Sequence, residues 1–212
     1  MKFYKSVLGL SVFLSTMVSS VAMAADVEDP LLIRLRGIIA VPDESADIET
    51  IGGDVDIDTF VVPELDISYF FTENIAAELI LATTNHDVTA VDTALGDVDL
   101  GDVWLLPPTL TLQYHFSPRG SIRPYVGAGV NYTFFYEQDP GAAVSVNYDN
   151  GFGFALQAGV DVPINDTYFL NFDVKKIFLS TDVGIDAGGA GVVGADVDLD
   201  PLIIGVGVGR RF

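Results

Sequence analysis

Charged side chains occupy alternate positions within several apolar stretches of this 212-residue chain. Arg34 and Arg36 are two residues apart in one stretch, and Glu64 and Asp66 are two residues apart in another. Alternate residues of a β-strand point to the same face, and a guanidinium group can form two parallel hydrogen bonds with a carboxylate. If the stretches are neighbouring strands, we expect their charges to form ion pairs. The predicted network comprises Arg34, Arg36, Glu64, Asp66, Glu78, Asp173 and Lys175.

Three short segments carry aspartate at every second position, namely Asp54 to Asp58, Asp97 to Asp99 and Asp196 to Asp200. In an extended segment such carboxylates share one side, an arrangement that could bind calcium. The glycine and the terminal glutamate of a calcium-binding loop are absent from these segments. We therefore interpret them as a solvated acidic rim and predict no metal site.

Groups suited to acid–base or nucleophilic catalysis are few. The chain has no cysteine and two histidines, His86 in a predicted loop and His115 in an apolar stretch, and neither has an obvious serine–base arrangement beside it. His115 is at a position expected to face the interior of the fold, where a histidine more often packs than reacts. No catalytic residue and no cofactor is predicted.

The amino terminus has the pattern of a secretory signal peptide. Lys2 and Lys5 precede an apolar run from Val7 to Val21, and Ala22-Met23-Ala24 supplies a small-x-small cleavage site. We expect a signal peptide over residues 1–24 and one mature domain over residues 25–212. Loss of Lys2 and Lys5 from the 10 basic side chains leaves 8 against 30 acidic ones, a net charge of −22. This charge excludes nucleic acid as a partner.

The carboxyl-terminal residues show the clearest strand pattern. Bulky side chains alternate with glycine from Ile204 to Gly209, and the chain ends at Phe212. An apolar terminal strand would be an aggregation-prone edge in water, whereas in a closed barrel its outer face meets lipid. Eight segments have about the length that a membrane strand needs, roughly 9 to 11 residues. They are 31–41, 61–71, 75–84, 105–116, 123–136, 152–162, 168–179 and 201–212.

The links between these segments alternate in length. Residues 72–74, 117–122 and 163–167 are short links, and residues 42–60, 85–104, 137–151 and 180–200 are long ones. Outer-membrane barrels have short periplasmic turns and long outer loops. The sequence therefore predicts an all-β fold, an eight-stranded antiparallel transmembrane β-barrel in the outer membrane of a Gram-negative cell, with both termini in the periplasm. We expect a monomer. A soluble barrel is disfavoured because the large side chains could not all fit inside eight strands.

Four motifs carry a resemblance to a known family. They are Leu106-Pro107-Pro108-Thr109-Leu110, the run from Arg123 to Tyr132, Asp173-Val174-Lys175-Lys176, and the ending from Asp198 to Phe212. In this order they are similar to the OmpW family of small outer-membrane barrels, which includes the AlkL-type alkane importers. The resemblance implies a narrow hydrophobic channel that helps small apolar compounds cross the lipopolysaccharide leaflet, with lateral release through a proline-interrupted wall. We expect Phe212 to contact the barrel assembly machinery.

Sorting the inward positions by height predicts an apolar funnel above the charged network. The expected lining is Ile38, Val62, Ile80, Leu105, Phe135, Ile177 and Ile203. The charges below are interpreted as a plug, although each of them could equally be polar packing with no transport role. A plug would favour sideways exit into the membrane. Because proline donates no ladder hydrogen bond, Pro63, Pro107 and Pro108 are the predicted lateral gate.

The predicted function is the uptake of small hydrophobic molecules, with these solutes, outer-membrane lipid and lipopolysaccharide as partners. Two other classes stay open. One is a lipid A-modifying barrel enzyme, which would alter lipid A acylation. The other is an adhesin or structural barrel, which would have long protruding strands and exposed loop aromatics.

Overall fold

A computed structural model describes residues 27–212, so the predicted signal peptide over residues 1–24 lies outside the described residues. In this range no helix is long and apolar enough to cross a membrane. The strands are β1 (Leu31–Val41), β2 (Ser45–Ile48), β3 (Asp54–Ile57), β4 (Phe60–Phe70), β5 (Ile75–Leu81), β6 (Thr84–Thr93), β7 (Gly96–Leu106), β8 (Thr109–His115), β9 (Arg123–Asp139), β10 (Ser145–Tyr148), β11 (Gly151–Pro163), β12 (Tyr168–Phe178), β13 (Ser180–Asp186), β14 (Val192–Asp198) and β15 (Leu202–Arg211). A short 3-10 helix, Gly188–Ala190, lies between β13 and β14.

Eight of these strands close into an antiparallel barrel in the order β1-β4-β5-β8-β9-β11-β12-β15. β1 closes the barrel because it pairs with β15 on one side and with β4 on the other, so that Leu35 lies opposite both Val208 and Leu65. The terminal strand therefore has no free edge. The predicted fold class is confirmed. The fourth predicted segment is interrupted, since β7 ends at Leu106 and β8 begins at Thr109.

Alternation sorts the barrel side chains between lipid and lumen as predicted. On the outer face Phe154 is 70% exposed and Leu156 is 55% exposed, whereas Gly205 and Gly209 are buried. A Cβ atom at Gly209 would collide with the Phe169 ring, which leaves no room for a larger residue there. Small residues are needed on this wall because large side chains from the other strands fill a narrow lumen.

The four long links are not loops, and that expectation is wrong. β3, β6 and β7 continue the barrel sheet from β9, and β10, β13, β14 and β2 form a second sheet. We call these seven strands the extension. Their aspartates alternate with apolar residues that are buried, such as Val55, Val183 and Val197. The Asp-x-Asp pattern, interpreted above as an acidic rim, is thus also the pattern of a strand with one buried face and one face in water.

The interior is layered along the barrel axis, and the sequence of β1 gives the order. Leu32 belongs to an apolar cluster at the periplasmic end, with Phe70, Ala76 and Phe169. Arg34 and Arg36 come next and are fully buried. Above them Ile38 and Ala40 join a second apolar cluster with Ala155, Ile177, Leu179 and Ile203. A third cluster fills the extension, with Ile48, Val88, Leu100, Val103 and Val146 among its members.

Candidate functional site

Two arginines of β1 form the centre of the polar layer. Arg34 has one terminal nitrogen 2.7 Å from Glu78 Oε1 and the other 2.8 Å from Asp161 Oδ2. Arg36 lies 3.0 Å from Glu64 Oε1 and 3.2 Å from Glu78 Oε1, and its Nε is 3.1 Å from Asp66 Oδ2. Strand register produces the contact between Arg36 and Glu64, which are opposite each other in the β1–β4 pair. The partners of Arg34 lie on β5 and β11, so barrel closure brings them to it.

The opposite wall completes the network. Lys175 Nζ lies 2.5 Å from Glu64 Oε1 and 3.5 Å from Asp173 Oδ1. Tyr125 donates a hydrogen bond of 2.6 Å to Asp173 Oδ2. Gln157 Nε2 donates to Glu78 Oε2 at 2.8 Å and to Asp173 Oδ2 at 2.9 Å. The plug, as we use the term below, is Arg34, Arg36, Glu64, Asp66, Glu78, Tyr125, Gln157, Asp161, Asp173 and Lys175.

All seven residues of the predicted network meet in the plug. Asp161, which is also expected among the inward charges of the lower lumen, joins them, and so do Tyr125 and Gln157, which sequence reasoning left out. Each of the three occupies an inward position of its strand, so the alternation of inward and outward residues was the only available signal. This alternation does not show which inward polar groups reach the same point of the lumen. The plug holds five carboxylates and three cations, all nearly inaccessible to water. Removing one partner from such a network leaves an uncompensated buried charge.

An apolar cavity of about 110 Å³ lies above the plug and continues into the extension. Six of the seven predicted lining residues border it, namely Ile38, Ile80, Leu105, Phe135, Ile177 and Ile203. Val62 does not border the cavity but packs against the cluster around Ile38. Glu64 and Lys175 form part of the floor, together with Thr109 and Asn131. The cavity therefore ends on the plug.

The upper half of the cavity is lined by residues that sequence reasoning missed. Val55, Val88, Leu100, Val183 and Val197 all come from strands that were expected to be loops. Their signal was present in the sequence, since each alternates with polar residues at period two. Their role could not be assigned without the pairing of the extension strands. The apolar lining thus extends beyond the barrel strands into the extension.

His86 lies in β6 and borders the cavity, not in a loop as expected. Its Nε2 is 2.9 Å from Thr84 Oγ1, and its ring packs edge-on against Phe60 with 4.2 Å between the centroids. Burial lowers the pKa of His86 to about 4, against a smaller raising effect from Asp58. The ring is therefore uncharged at neutral pH and compatible with an apolar lining. His115 packs inside the lumen, stacked on Tyr125 with 5.0 Å between the centroids.

The barrel wall loses its hydrogen-bond ladder beside the cavity. Pairing of β4 with β5 stops at Leu65 and Leu81, so residues 60–64 of β4 pair with β1 alone among the described strands. Pairing of β5 with β8 stops at Ile80 and Thr109. Pro63 lies on the unpaired edge, and Pro107 and Pro108 follow the end of β7. The Phe60–His86 contact spans this gap between β4 and β6.

Comparison with known proteins places the chain among outer-membrane proteins. The family model described as "OmpW family" matches residues 28–212. The chain is 47% identical over 185 residues to the outer-membrane protein y4mB of Sinorhizobium fredii, covering 86% of this chain and 80% of that protein. It is 35% identical over 130 residues to the dibenzothiophene metabolism operon protein PahQ of Pseudomonas aeruginosa, covering 59% and 58%. The crystal structure of the outer membrane protein OprG from Pseudomonas aeruginosa superposes with a TM-score of 0.79 at 30% identity, covering 86% and 95%.

Proposed function

The chain belongs to the OmpW family of outer-membrane proteins, and we propose that it carries small hydrophobic molecules from the outer surface into the bilayer through the cavity above the plug. The observation that carries the proposal is the continuous apolar lining from the extension down to Glu64 and Lys175. An apolar solute gains free energy by leaving water for such a lining, whereas ions and sugars would lose their hydration. The name of PahQ also supports an apolar solute, because it refers to the metabolism of dibenzothiophene, an apolar aromatic compound.

Release is proposed to be lateral. The plug offers an apolar molecule no path downward, because its charged groups are already engaged with each other and would have to be separated. The gap between β4 and β6 lies at the height of the lower cavity, as Val62 and Ala82 flank it and pack against the cluster around Ile38. Opening this gap breaks no ladder hydrogen bond between these strands. The Phe60–His86 contact across the gap would have to separate.

The test of uptake is a charge placed in the lining. In cells that express the protein and consume dibenzothiophene or a medium-chain alkane, Ile80→Asp or Ile203→Lys should reduce uptake by about tenfold or more, because a buried unpaired charge repels an apolar solute at a cost above about 1.4 kcal/mol. Ile80→Val keeps the lining apolar and should leave uptake nearly unchanged. Neutralising an exposed carboxylate with Asp97→Asn should have little effect. Equal uptake by cells without the protein would reject the proposal.

The test of lateral release is a reversible lock on the gap. The described residues contain no free cysteine, so Phe60→Cys combined with His86→Cys introduces the thiols of a single disulfide across the gap. Uptake should fall when the pair is oxidised and recover on reduction, whereas each single variant should not respond to reductant. Pro63→Val or Pro108→Val should slow release more mildly by restoring a ladder donor. Full uptake in the oxidised double variant would place the exit elsewhere.

The two alternative classes give different results in the same cells. Altered acylation of lipid A that depends on expression would favour the enzyme. The extension strands do protrude, as an adhesin requires, but among the described residues the exposed aromatic side chains lie in barrel strands or directly after them, such as Phe152 and Phe178. The extension tips expose aliphatic residues instead, with Leu95 at 74% and Val192 at 75%. Host-cell attachment that survives Ile80→Asp would favour the adhesin.

A further inference from the structure

Two arginines at the periplasmic mouth of the barrel have no acidic partner among residues 27–212. Ion pairs in this range use Arg34, Arg36, Arg119, Lys175 and Lys176 as their cations. Arg123, at the start of β9, donates its Nε to the Gly120 carbonyl at 3.1 Å. Arg211, at the end of β15, lies over the Phe70 ring with its guanidinium carbon 3.9 Å from the centroid.

Both arginines line one cavity of about 350 Å³ below the plug. Asp161 is opposite Arg123 in the β9–β11 pair, but it forms no ion pair with either arginine in the described structure, because it accepts from Arg34 through both oxygens and from Asn171. Asp166 lines the same cavity but forms no ion pair with either arginine in the described structure. The two guanidinium groups therefore keep donors that no carboxylate engages, and an anion bound between them would reduce their mutual repulsion.

The turn between β11 and β12 adds neutral donors to the cavity. Asn165 Oδ1 accepts from the backbone N–H groups of Thr167 at 2.9 Å and Tyr168 at 2.8 Å. With its oxygen so engaged, the Asn165 side chain has its amide nitrogen left as a donor. Thr167, which carries a hydroxyl group, lines the cavity too. Guanidinium groups together with amide and hydroxyl donors are the groups that bind phosphate and carboxylate.

The alternation of outward and inward residues in β15 shows whether a ligand reaches the arginines from the bilayer or from the periplasm. Arg210 is exposed on the outer face, with its guanidinium carbon 5.7 Å from the Tyr168 ring centroid, where it can meet lipid headgroups. Arg211 is the next residue and points into the lumen, on the face of the buried Gly209. An anion that reaches Arg211 therefore comes from the periplasmic solution and not from the bilayer.

We propose that the periplasmic mouth of this barrel binds a small soluble oxyanion, a phosphate or carboxylate, between Arg123 and Arg211. The site lies on the other side of the plug from the apolar cavity and is independent of hydrophobic transport. It is a local positive region on a mature chain whose net charge is −22, counting 8 basic and 30 acidic side chains. Long-range repulsion therefore favours a small, strongly chelated anion over a large acidic partner.

The experiment is a titration of inorganic phosphate into the whole protein in a maltoside detergent, which itself carries no phosphate. At constant ionic strength, the backbone amide signals of Arg123, Thr167 and Phe169 should shift and saturate. Arg123→Gln should weaken the binding by about tenfold or more, and Arg123→Lys should fall between, because lysine keeps the charge but loses the planar fork. Arg119→Gln is the matched control on the same periplasmic side, since Arg119 is exposed and pairs with Glu73.

Further titrations of the same protein identify the class of ligand. Asp166→Asn should tighten phosphate binding by removing a competing carboxylate from the cavity. Succinate should shift the same amides if carboxylates share the site. An absence of saturation, equal affinity in Arg123→Gln, or equal shifts with chloride would overturn the proposal. Shifts of these amides caused by phosphatidylglycerol nanodiscs without added phosphate would assign the arginines to a lipid headgroup instead, and would also overturn it.

Discussion

In both the barrel and the extension, side chains alternate between two faces of each strand. The bulky apolar side chains face outward in the barrel and inward in the extension. In β15 the bulky residues Val206 and Val208 are 50% exposed and face outward, while glycine faces the lumen. In β14 the bulky Val197 is 7% exposed and faces inward, while Asp196 and Asp198 face outward. The outer surface of the first region meets lipid and that of the second meets water. The height at which the apolar side chains change from the outer to the inner face therefore marks the outer boundary of the membrane.

The inversion also explains how one apolar interior extends through both regions. A narrow barrel in lipid needs polar contacts inside, and these form the plug. A β-structure in water needs an apolar core, and the extension supplies it with Val88, Leu100 and Val103. The upper barrel, around Ile38 and Ile203, is apolar on both faces and joins the two. An apolar interior is thus continuous from the water-exposed end to the plug.

The largest expected effect comes from breaking the polar core of the barrel. Glu78→Gln removes the carboxylate that pairs with both Arg34 and Arg36, and it should destabilise the barrel by about 3–5 kcal/mol because two buried guanidinium groups each lose one of their carboxylate partners. Unfolding by urea in lipid vesicles measures it. Glu73→Gln is the matched control, since it breaks an exposed pair with Arg119 and should cost under about 1 kcal/mol. Equal losses in the two variants would mean that the plug does not hold the barrel together.

Breaking the apolar core of the extension should have a local effect. Val197→Asp places a charge in the core and should destabilise the extension by about 3 kcal/mol, because the charge has no partner there. Amide hydrogen exchange should speed up in β13 and β14 and stay unchanged in β1. The neighbouring change Asp198→Asn points outward and serves as the control. Faster exchange in β1 to the same degree would show that the two regions unfold as one unit.

A pH titration should separate the two regions without a structural mutation. The pKa of His86 is lowered from 6.5 to about 4, so between these values the unfolded extension binds a proton that the folded extension excludes. The stabilisation is complete above pH 6.5 and is lost as the pH falls toward 4, by at most about 3 kcal/mol. The protection of the β6 amides against hydrogen exchange, corrected for the slower intrinsic exchange in acid, should therefore fall at pH 4.5, and His86→Gln should remove this change. The same pH slope in His86→Gln would assign it to other groups.

The smallest effect is expected on the outer face of the extension. Asp182 and Asp196 are opposite each other in the β13–β14 pair, and the hydrogen bond to Asp196 and its charge raise the pKa of Asp182. A raised carboxylate pKa means that the charged pair opposes folding at neutral pH and that this opposition fades as the pH falls. Asp196→Asn should slightly raise the midpoint of unfolding of the extension at pH 7 and have no effect at pH 3. A lower midpoint at pH 7 would show that a bound cation or a hydrogen bond outweighs the repulsion.

Sequence reasoning worked where one face of a strand meets a uniform environment. The parity of Phe154, Leu156 and Gly205 followed from their alternation, and the structure confirms it. It did not work for Val55 and Val183, because strands in the extension are short and their aspartates resemble the composition of loops. Length and charge favoured loops there, and tertiary pairing overrode both. Tyr125 shows a second limit of sequence reasoning, since it occupies an inward position but has no charge to mark it as part of the plug.

The sequence by itself determined the number of barrel strands, their inward and outward faces and the side on which the short turns lie. These are local properties, because period two and turn composition need no partner strand. Only the tertiary structure decided which charges meet, such as Arg34 with Asp161, which are 127 residues apart. It also decided where the ladder stops beside Pro63 and that Arg123 and Arg211 share one cavity. Such contacts depend on barrel closure and on the stagger between strands, which no single segment encodes.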